Sequence, residues 1–229
     1  MNARRGGHGG RGAAVRVRTA KGRPVSSTLW LRRQLNDPYV AEAKRQGYRS
    51  RAAFKLAELD DRFVLLKPGL RVLDLGAAPG GWTQVAVERV GPKGKVLGVD
   101  ILPMEAIAGA TVMRQDFMAD DAPKRIEDAL GGPIDVVLSD MAAPTTGHKA
   151  TDHLRIVAMA EAAADFAMAV LKPGGAFLCK VFQGGTEGAL LAELKRRFAK
   201  VVHAKPKASR AESAELYVVA TGYKGRQAA

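Results

Sequence analysis

The sequence contains a single cysteine, Cys179, and no long uninterrupted apolar run. One cysteine excludes an internal disulfide framework and any cysteine-rich zinc site, and such sparing use is typical of a reducing compartment. A transmembrane helix needs about 18 or more consecutive apolar residues, so none is expected. The four histidines show no metal-ligand spacing, and no metal site is predicted.

The first residues are also poor in apolar side chains. Residues 1–25 are rich in glycine and arginine, and we predict a disordered basic tail there because too little apolar surface is available to offset the entropy of ordering. The start MNARRGGHGGRG lacks the apolar segment of a secretory signal, so a cytoplasmic location is expected. Its closely spaced glycines disfavour the amphipathic helix of a mitochondrial transit peptide, which makes the mitochondrial matrix the less favoured alternative.

Acidic residues are scarce in the first quarter of the chain. Residues 1–55 hold 14 of the 36 lysines and arginines but only two of the 23 acids, Asp37 and Glu42. The remaining residues hold 22 basic and 21 acidic side chains, so almost all of the net charge of +13 lies on this one arm. Such asymmetry favours a polyanionic partner, and nucleic acid in particular, over a tail that only aids solubility.

Residues 26–229 have the pattern of one α/β domain. Asp37-Pro38 is a typical helix start and Gly47 a typical helix end, and a second helix is expected over 50–63, so residues 26–65 form basic N-terminal helices. From residue 66 onward, predicted strands (70–75, 96–99, 111–113, 134–138, 176–181) alternate with helices (81–90, 120–130, 153–171, 188–198), and two closing strands follow (201–205, 216–221). This alternation predicts a mostly parallel seven-stranded sheet with a C-terminal antiparallel hairpin and helices on both faces.

The first strand of this core runs into a glycine-rich turn, Asp74 to Trp82 (DLGAAPGGW). Ala78 occupies the place of the second glycine of the dinucleotide fingerprint, so a pyrophosphate site is disfavoured. Asp100 ends the second strand, where a carboxylate can accept the hydroxyls of a ribose, and Asp116 follows the third. Because the carboxyl ends of parallel strands meet at one edge, these residues outline a crevice the size of an adenosine.

The segment VLDLGAAPGGW, followed by GVD and QDF, resembles the S-adenosylmethionine site of Rossmann-like methyltransferases. GAAPGGW specifically resembles the FtsJ-type ribose 2′-O-methyltransferases. The resemblance implies S-adenosylmethionine as cofactor, with contacts at positions that the family motif matches: Gly80, Trp82, Asp100, Asp116 and Asp140. The competing interpretation of Trp82 is an aromatic residue at a helix start that packs on the core.

Four residues are candidates for the chemistry: Lys55, Asp140, Lys180 and Glu215. Asp140 and Lys180 follow or end adjacent predicted strands, and a lysine among apolar neighbours is costly to bury unless a carboxylate pairs with it. A ribose hydroxyl is a poor nucleophile that benefits from a base. Burial favours the neutral lysine that could act as this base, whereas carboxylates favour the charged one. The FtsJ resemblance implies a Lys-Asp-Lys-Glu tetrad at these positions, with Lys180 as proton acceptor.

The resemblance extends over residues 26–224 through SRAAFKL, LSDMAAP, KVFQGG and LYVVATG. It implies that the enzyme methylates the 2′-OH of a uridine ribose in 23S ribosomal RNA of the large ribosomal subunit. Methylation of transfer RNA or another structured RNA remains an alternative, as does a non-catalytic RNA-binding or assembly factor. The basic arm disfavours a small-molecule methyltransferase, and Ala78 disfavours an NAD enzyme.

A basic strip between the N-terminal helices precedes Lys55. It comprises Lys44, Arg45, Arg49 and Arg51. Such a strip fits contacts to an RNA backbone, which position a strand without reading its bases. We expect a monomer in which replacing Arg49 and Arg51 weakens RNA binding with little effect on cofactor binding.

Overall fold

The computed structural model describes residues 22, 24–142, 146–183 and 188–225, and within them the chain forms seven helices and seven strands. The helices are α1 (Val25–Leu35), α2 (Pro38–Gln46), α3 (Ala53–Phe63), α4 (Gly81–Val90), α5 (Ala122–Leu130), α6 (Lys149–Val170) and α7 (Ala189–Arg197). The strands are β1 (Arg71–Leu75), β2 (Lys95–Asp100), β3 (Ala110–Arg114), β4 (Ile134–Ser139), β5 (Leu171–Phe182), β6 (Phe198–Ala204) and β7 (Glu215–Tyr223).

All seven strands belong to one sheet in the order β3-β2-β1-β4-β5-β7-β6. The first five strands in this order are parallel to one another, whereas β7 is antiparallel to both β5 and β6. The predicted mostly parallel seven-stranded sheet with a closing antiparallel hairpin is therefore confirmed. Insertion of β7 next to β5 places Tyr217 opposite Lys180, and Glu215 opposite Phe182, at the carboxyl end of β5.

Helices cover both faces of the sheet, as the strand–helix alternation predicts. On one face, α5, α6 and α7 pack on a core that includes Leu73, Val137 and Phe177. On the other face, α3 and α4 pack on a second core that includes Val136, Leu138 and Leu178. Because side chains alternate along a strand, Lys180 on β5 points to the same face as Leu178, which is the face that α3 covers.

The boundaries of several elements differ from the prediction, and two of them, the starts of α6 and β5, differ most. Helix α6 begins at Lys149 rather than 153, because the side chain of Asp152 accepts hydrogen bonds from the backbone of Thr146 and Gly147 and closes the turn before the helix. Strand β5 begins at Leu171, since pairing with Ile134 precedes the shift in register to Ala176. The tail predicted over residues 1–25 lies outside the described residues, except for positions 22, 24 and 25.

The N-terminal helices follow the local signals in the sequence. Asp37 caps α2 by accepting a hydrogen bond from the Tyr39 backbone N–H at 3.0 Å, and Pro38 occupies the first helical position. Gly47 ends the helix with a φ of 78°, a left-handed conformation that glycine adopts without steric cost. In the described part of the chain, no helix has the length and hydropathy needed to cross a bilayer.

Candidate active site

A cavity of about 550 Å³ opens at the carboxyl ends of the parallel strands. Its lining residues come from the ends of β1, β2, β3 and β4 and from α6: Gly76, Ala78, Val99, Asp100, Ile101, Leu102, Gln115, Asp116, Phe117, Asp140, Met141, Ala142 and Met159. This is the edge at which ligands bind in open α/β sheets. The described residues contain no cluster of His, Cys, Asp or Glu that could hold a metal ion.

The turn after β1 forms one side of this cavity. Gly76 has a φ of 71°, and a Cβ added there would lie 2.2 Å from Cγ of Met141. Only glycine fits this position without moving the neighbouring side chain. Glycine at this point therefore lets the backbone pass close to the cavity.

Two of the predicted cofactor residues face the cavity with carboxylates that the backbone holds in place. Asp100 accepts hydrogen bonds from the N–H of Ala78 at 2.9 Å and from the N–H of Leu102 at 2.8 Å. Asp116 accepts one from the N–H of Met118 at 2.9 Å. A carboxylate has about four acceptor positions, so both keep capacity for hydroxyl or amino donors of a ligand.

Gly80 and Trp82, which were predicted to contact the cofactor, are not among the residues that line the cavity. Trp82 is only 3% exposed, its indole N–H donates to the carbonyl of Ala52 at 2.8 Å, and its ring lies 5.7 Å from that of Tyr217. Trp82 thus packs on the core in this structure, and its predicted contact with the cofactor stays a prediction. A Cβ on Gly80 would lie 2.5 Å from Cδ1 of Ile107, so Gly80 is enclosed by protein.

The four residues of the predicted tetrad lie together beside the cavity. Lys180 Nζ is 3.1 Å from Asp140 Oδ1 and donates to the backbone carbonyl of Asp140 at 2.7 Å. Lys55 Nζ is 2.7 Å from Glu215 Oε1 and 3.9 Å from Asp140 Oδ2. Both lysines are 7% exposed. Buried ionisable groups are stable only when paired, and here each lysine faces a carboxylate.

Tyr217 is a fifth member of this cluster, which the sequence reasoning missed. Its hydroxyl donates to Asp140 Oδ1 at 2.7 Å, and its ring centroid lies 5.7 Å from Lys55 Nζ. Burial, together with the nearby carboxylates of Asp140 and Glu215, raises the pKa of Tyr217 well above its ordinary range. The hydroxyl therefore stays protonated and acts as a hydrogen-bond donor. The strand register that places Tyr217 opposite Lys180 is the signal that could have identified it.

The acids near the site have different protonation preferences. Burial by itself would raise the pKa of Glu215, but the charge and hydrogen bond of Lys55 and the hydroxyl of Ser209 hold that pKa below its usual range. Burial raises the pKa of Asp74 on β1 to about 7, although Thr83 donates to it at 2.6 Å. Burial also raises the pKa of Cys179 to about 12, so its thiol is inert.

Arg49 and Arg51 of the predicted basic strip make polar contacts within the protein. The guanidinium of Arg49 donates to the backbone carbonyls of Pro79, Glu105 and Ala106. Nε of Arg51 lies 3.0 Å from Asp37 Oδ2, and the group also donates to the carbonyl of Ala208. Both guanidiniums are thus engaged within the protein, and the prediction that they contact RNA stays a prediction.

The other two residues of the basic strip face solvent. Lys44 is exposed on α2, and the Arg45 side chain is 71% exposed with Glu42 as its ion-pair partner. Helix α1 adds the exposed Arg32 and Arg33. These four cations are available to a polyanion.

Comparisons with known proteins identify the family of this chain. Residues 48–223 match the family of FtsJ-like methyltransferases. Proteins named ribosomal RNA large subunit methyltransferase E are similar to this chain: that of Paramagnetospirillum magneticum is 67% identical over 95% of this chain and 91% of its own length. The protein of that name from Rhodospirillum rubrum is 66% identical over 95% of this chain and 84% of its own length. A crystal structure from Plasmodium falciparum, described as a ribosomal RNA methyltransferase, has a TM-score of 0.69 and 32% identity, and covers 78% of this chain and 100% of that one. The chain thus belongs to the FtsJ-like methyltransferase family.

Proposed function

We propose that this protein is an S-adenosylmethionine-dependent methyltransferase that modifies the 2′-OH of a uridine ribose in 23S ribosomal RNA of the large ribosomal subunit. The observation that carries the proposal is a cluster of two lysines, each paired with a carboxylate, at the edge of a cavity suited to an adenosine. The cluster comprises Lys55, Asp140, Lys180 and Glu215. A protein that only bound RNA would not need a buried lysine beside such a cavity. The names of the relatives support ribosomal RNA as the substrate.

The residues that line the cavity fit S-adenosylmethionine. The carboxylates of Asp100 and Asp116 would hold the ribose hydroxyls and the adenine amino group, and apolar residues such as Ile101 and Phe117 suit the face of the adenine ring. Gly76 lets the backbone approach closely. When bound, S-adenosylmethionine supplies a methyl group on a positively charged sulfur, which keeps the electron pair of the broken C–S bond when an oxygen takes the methyl carbon.

Lys180 and Asp140 handle the proton of the ribose hydroxyl in this proposal. Lys180 in its neutral form accepts the proton while the oxygen forms its new bond to carbon, and Asp140, 3.1 Å away, stabilises the ammonium that results. The Asp140 carboxylate also faces Lys55 and accepts the Tyr217 hydroxyl, so its charge is shared among three donors. Glu215 holds Lys55 in position from the opposite side.

RNA would approach along the exposed cations of the N-terminal helices. Lys44 and Arg45, two of the four predicted RNA contacts, lie on α2, and the segment after this helix leads to Lys55. Contacts of this kind bind backbone phosphates and leave recognition to the shape of the RNA and to one nucleotide held in the site. We further propose a cytoplasmic monomer, with a basic tail over 1–25 and one catalytic domain over 26–229.

The test is transfer of a radiolabelled methyl group from S-adenosylmethionine to large ribosomal subunits from a strain that lacks the protein. Wild type is expected to label a ribose 2′-oxygen of a uridine, whereas Lys180→Ala is expected to bind the cofactor but give no label. The matched control is Lys195→Ala, an exposed lysine on α7. Label on transfer RNA, or no label from wild type that nevertheless binds RNA, would overturn the proposal in favour of a different RNA substrate or an assembly factor.

A further inference from the structure

Arg49 makes three hydrogen bonds to backbone carbonyls that are distant from it in the sequence. Its Nη1 donates to Pro79 O at 3.3 Å and to Glu105 O at 2.8 Å, and its Nη2 donates to Ala106 O at 2.7 Å. A guanidinium is planar and offers several donors in a fixed geometry, so it can join two loops in this way. The guanidinium therefore connects two backbone segments through hydrogen bonds.

The three carbonyls belong to two different sides of the cavity. Pro79 lies in the turn after β1, directly beyond Ala78, which lines the cavity. Glu105 and Ala106 lie in the segment after β2, whose first residue, Ile101, lines the cavity. Ala78 and Asp100 are themselves joined by a hydrogen bond of 2.9 Å. Arg49 thus joins the turn after β1 to the segment after β2, the same two parts of the chain that the bond between Ala78 and Asp100 connects at the cavity surface.

The backbone that carries Arg49 is fixed by α4. The side chain of Gln84 accepts a hydrogen bond from the Arg49 N–H at 2.8 Å and donates one to the carbonyl of Gly47 at 3.0 Å. In addition, a Cβ on Gly80 would lie 3.3 Å from Cδ of Arg49, so the arginine stem packs directly against the turn. Both the backbone and the stem of Arg49 are held before its guanidinium reaches the carbonyls.

We propose that Arg49 is a positioning residue for cofactor binding, which holds the turn after β1 and the segment after β2 at the separation that S-adenosylmethionine requires. This inference rests on the proposed function, because it takes that molecule as the occupant of the cavity. This positioning role differs from the contact with RNA phosphates that the charge of Arg49 alone indicates. The substitution Arg49→Lys discriminates between the two roles. The lysine ammonium can still neutralise a phosphate, but it cannot reproduce the planar set of guanidinium donors that binds three carbonyls on two loops.

The experiment measures the Kd of S-adenosylmethionine by calorimetry on the full chain without RNA, for wild type, Arg49→Lys and Arg49→Gln. Both variants are expected to bind the cofactor at least about tenfold more weakly, because charge-assisted hydrogen bonds of this kind are worth a factor of ten or more. Arg196→Lys is the matched control, since Arg196 lies on the exposed side of α7 with Glu193 as its partner, and its Kd should not change. In turnover assays the KM for the cofactor should rise while kcat at saturating cofactor stays within about twofold.

The RNA affinity of the same proteins completes the test. Arg49→Lys is expected to bind RNA as wild type does. Cofactor binding equal to wild type in Arg49→Lys, with RNA affinity lost in Arg49→Gln, would overturn the proposal and restore a phosphate contact. If Arg49→Gln does not fold, Gln84→Ala replaces it, since it releases the backbone of the segment but keeps the guanidinium; an unchanged cofactor Kd there also overturns the proposal. Failure of wild type to bind S-adenosylmethionine would instead refute the proposed function.

Discussion

Asp74 gives a direct test of how a buried carboxyl group affects the stability of this fold. It lies on β1 and is 1% exposed, and its Oδ2 accepts a hydrogen bond from the Thr83 hydroxyl at 2.6 Å. Burial raises its pKa from 3.8 to about 7, with smaller raising effects from Asp140 and Asp100 and lowering effects from Thr83. Because the folded-state pKa lies above the unfolded-state value, the stabilising contribution of Asp74 is complete below about pH 4 and is lost as the pH rises through about 7.

The size of the effect follows from the shift. About three pKa units at 1.36 kcal/mol each give about 4 kcal/mol between the two limits, of which about 3 kcal/mol falls between pH 5 and pH 8. Asp74→Asn carries no titrating group and can still accept from Thr83. The free energy of unfolding of the variant, relative to wild type, should therefore increase by about 3 kcal/mol from pH 5 to pH 8, as measured by urea denaturation.

The control for this experiment is Asp128→Asn, which removes an exposed carboxylate on α5. Its unfolding free energy relative to wild type should change little between the two pH values. A difference between wild type and Asp74→Asn that is the same at both pH values would refute the assignment of a raised pKa to Asp74.

Three further substitutions probe the site. Glu215→Gln leaves Lys55 with Asp140 alone at 3.9 Å, so we expect a loss of about 3 kcal/mol in unfolding free energy, measured with urea, and a strongly reduced methylation rate. Gly76→Ala places a methyl group where a contact of 2.2 Å would result, and calorimetry should show a cofactor affinity at least about tenfold weaker. Tyr217→Phe removes one donor to Asp140 and should cost about 1–2 kcal/mol of stability together with part of the turnover rate.

Matched variants separate each effect from a general loss of stability. Glu193→Gln, the control for Glu215→Gln, weakens a surface ion pair and should leave the unfolding free energy and the methylation rate unchanged. Gly91→Ala imposes similar backbone strain at a φ of 63° with no atom within 4 Å, so normal cofactor affinity is expected. Tyr223→Phe removes a buried hydroxyl that donates to Met168 O, and its stability should fall without loss of turnover. Equal effects in a variant and its control would contradict the role given to that residue.

The part of the site that the sequence predicted well is the part that strand topology determines. Asp100, Asp116 and Asp140 follow successive strands, and a parallel sheet brings the ends of those strands to one edge whatever the details of packing. Strand topology likewise places the glycine turn at Gly76, directly after β1, at this edge. Each of these predictions needs only strand order and direction, which hydrophobic patterning supplies.

The remainder depends on contacts between distant segments. Lys55 and Glu215 are 160 residues apart, and only a family resemblance, not spacing, assigned them to one cluster. Arg49 and Arg51 have the appearance of RNA ligands in the sequence, yet their partners include carbonyls and a carboxylate on other elements. The role of Trp82 illustrates the same limit, because the helix start that it occupies is compatible with either packing or ligand contact until the position of Ala52 is known.

The insertion of β7 between β5 and β6 also has a consequence for protein synthesis. All four strands whose ends line the cavity are made before residue 140, but the strand that carries Glu215 and Tyr217 follows every other strand in the sequence. A nascent chain on the translating ribosome therefore has the segments that surround the cavity long before it has Glu215, the nearest partner of Lys55. Until β7 joins the sheet, Lys55 lacks its nearest carboxylate, so assembly of the reactive cluster is delayed to the final stage of synthesis.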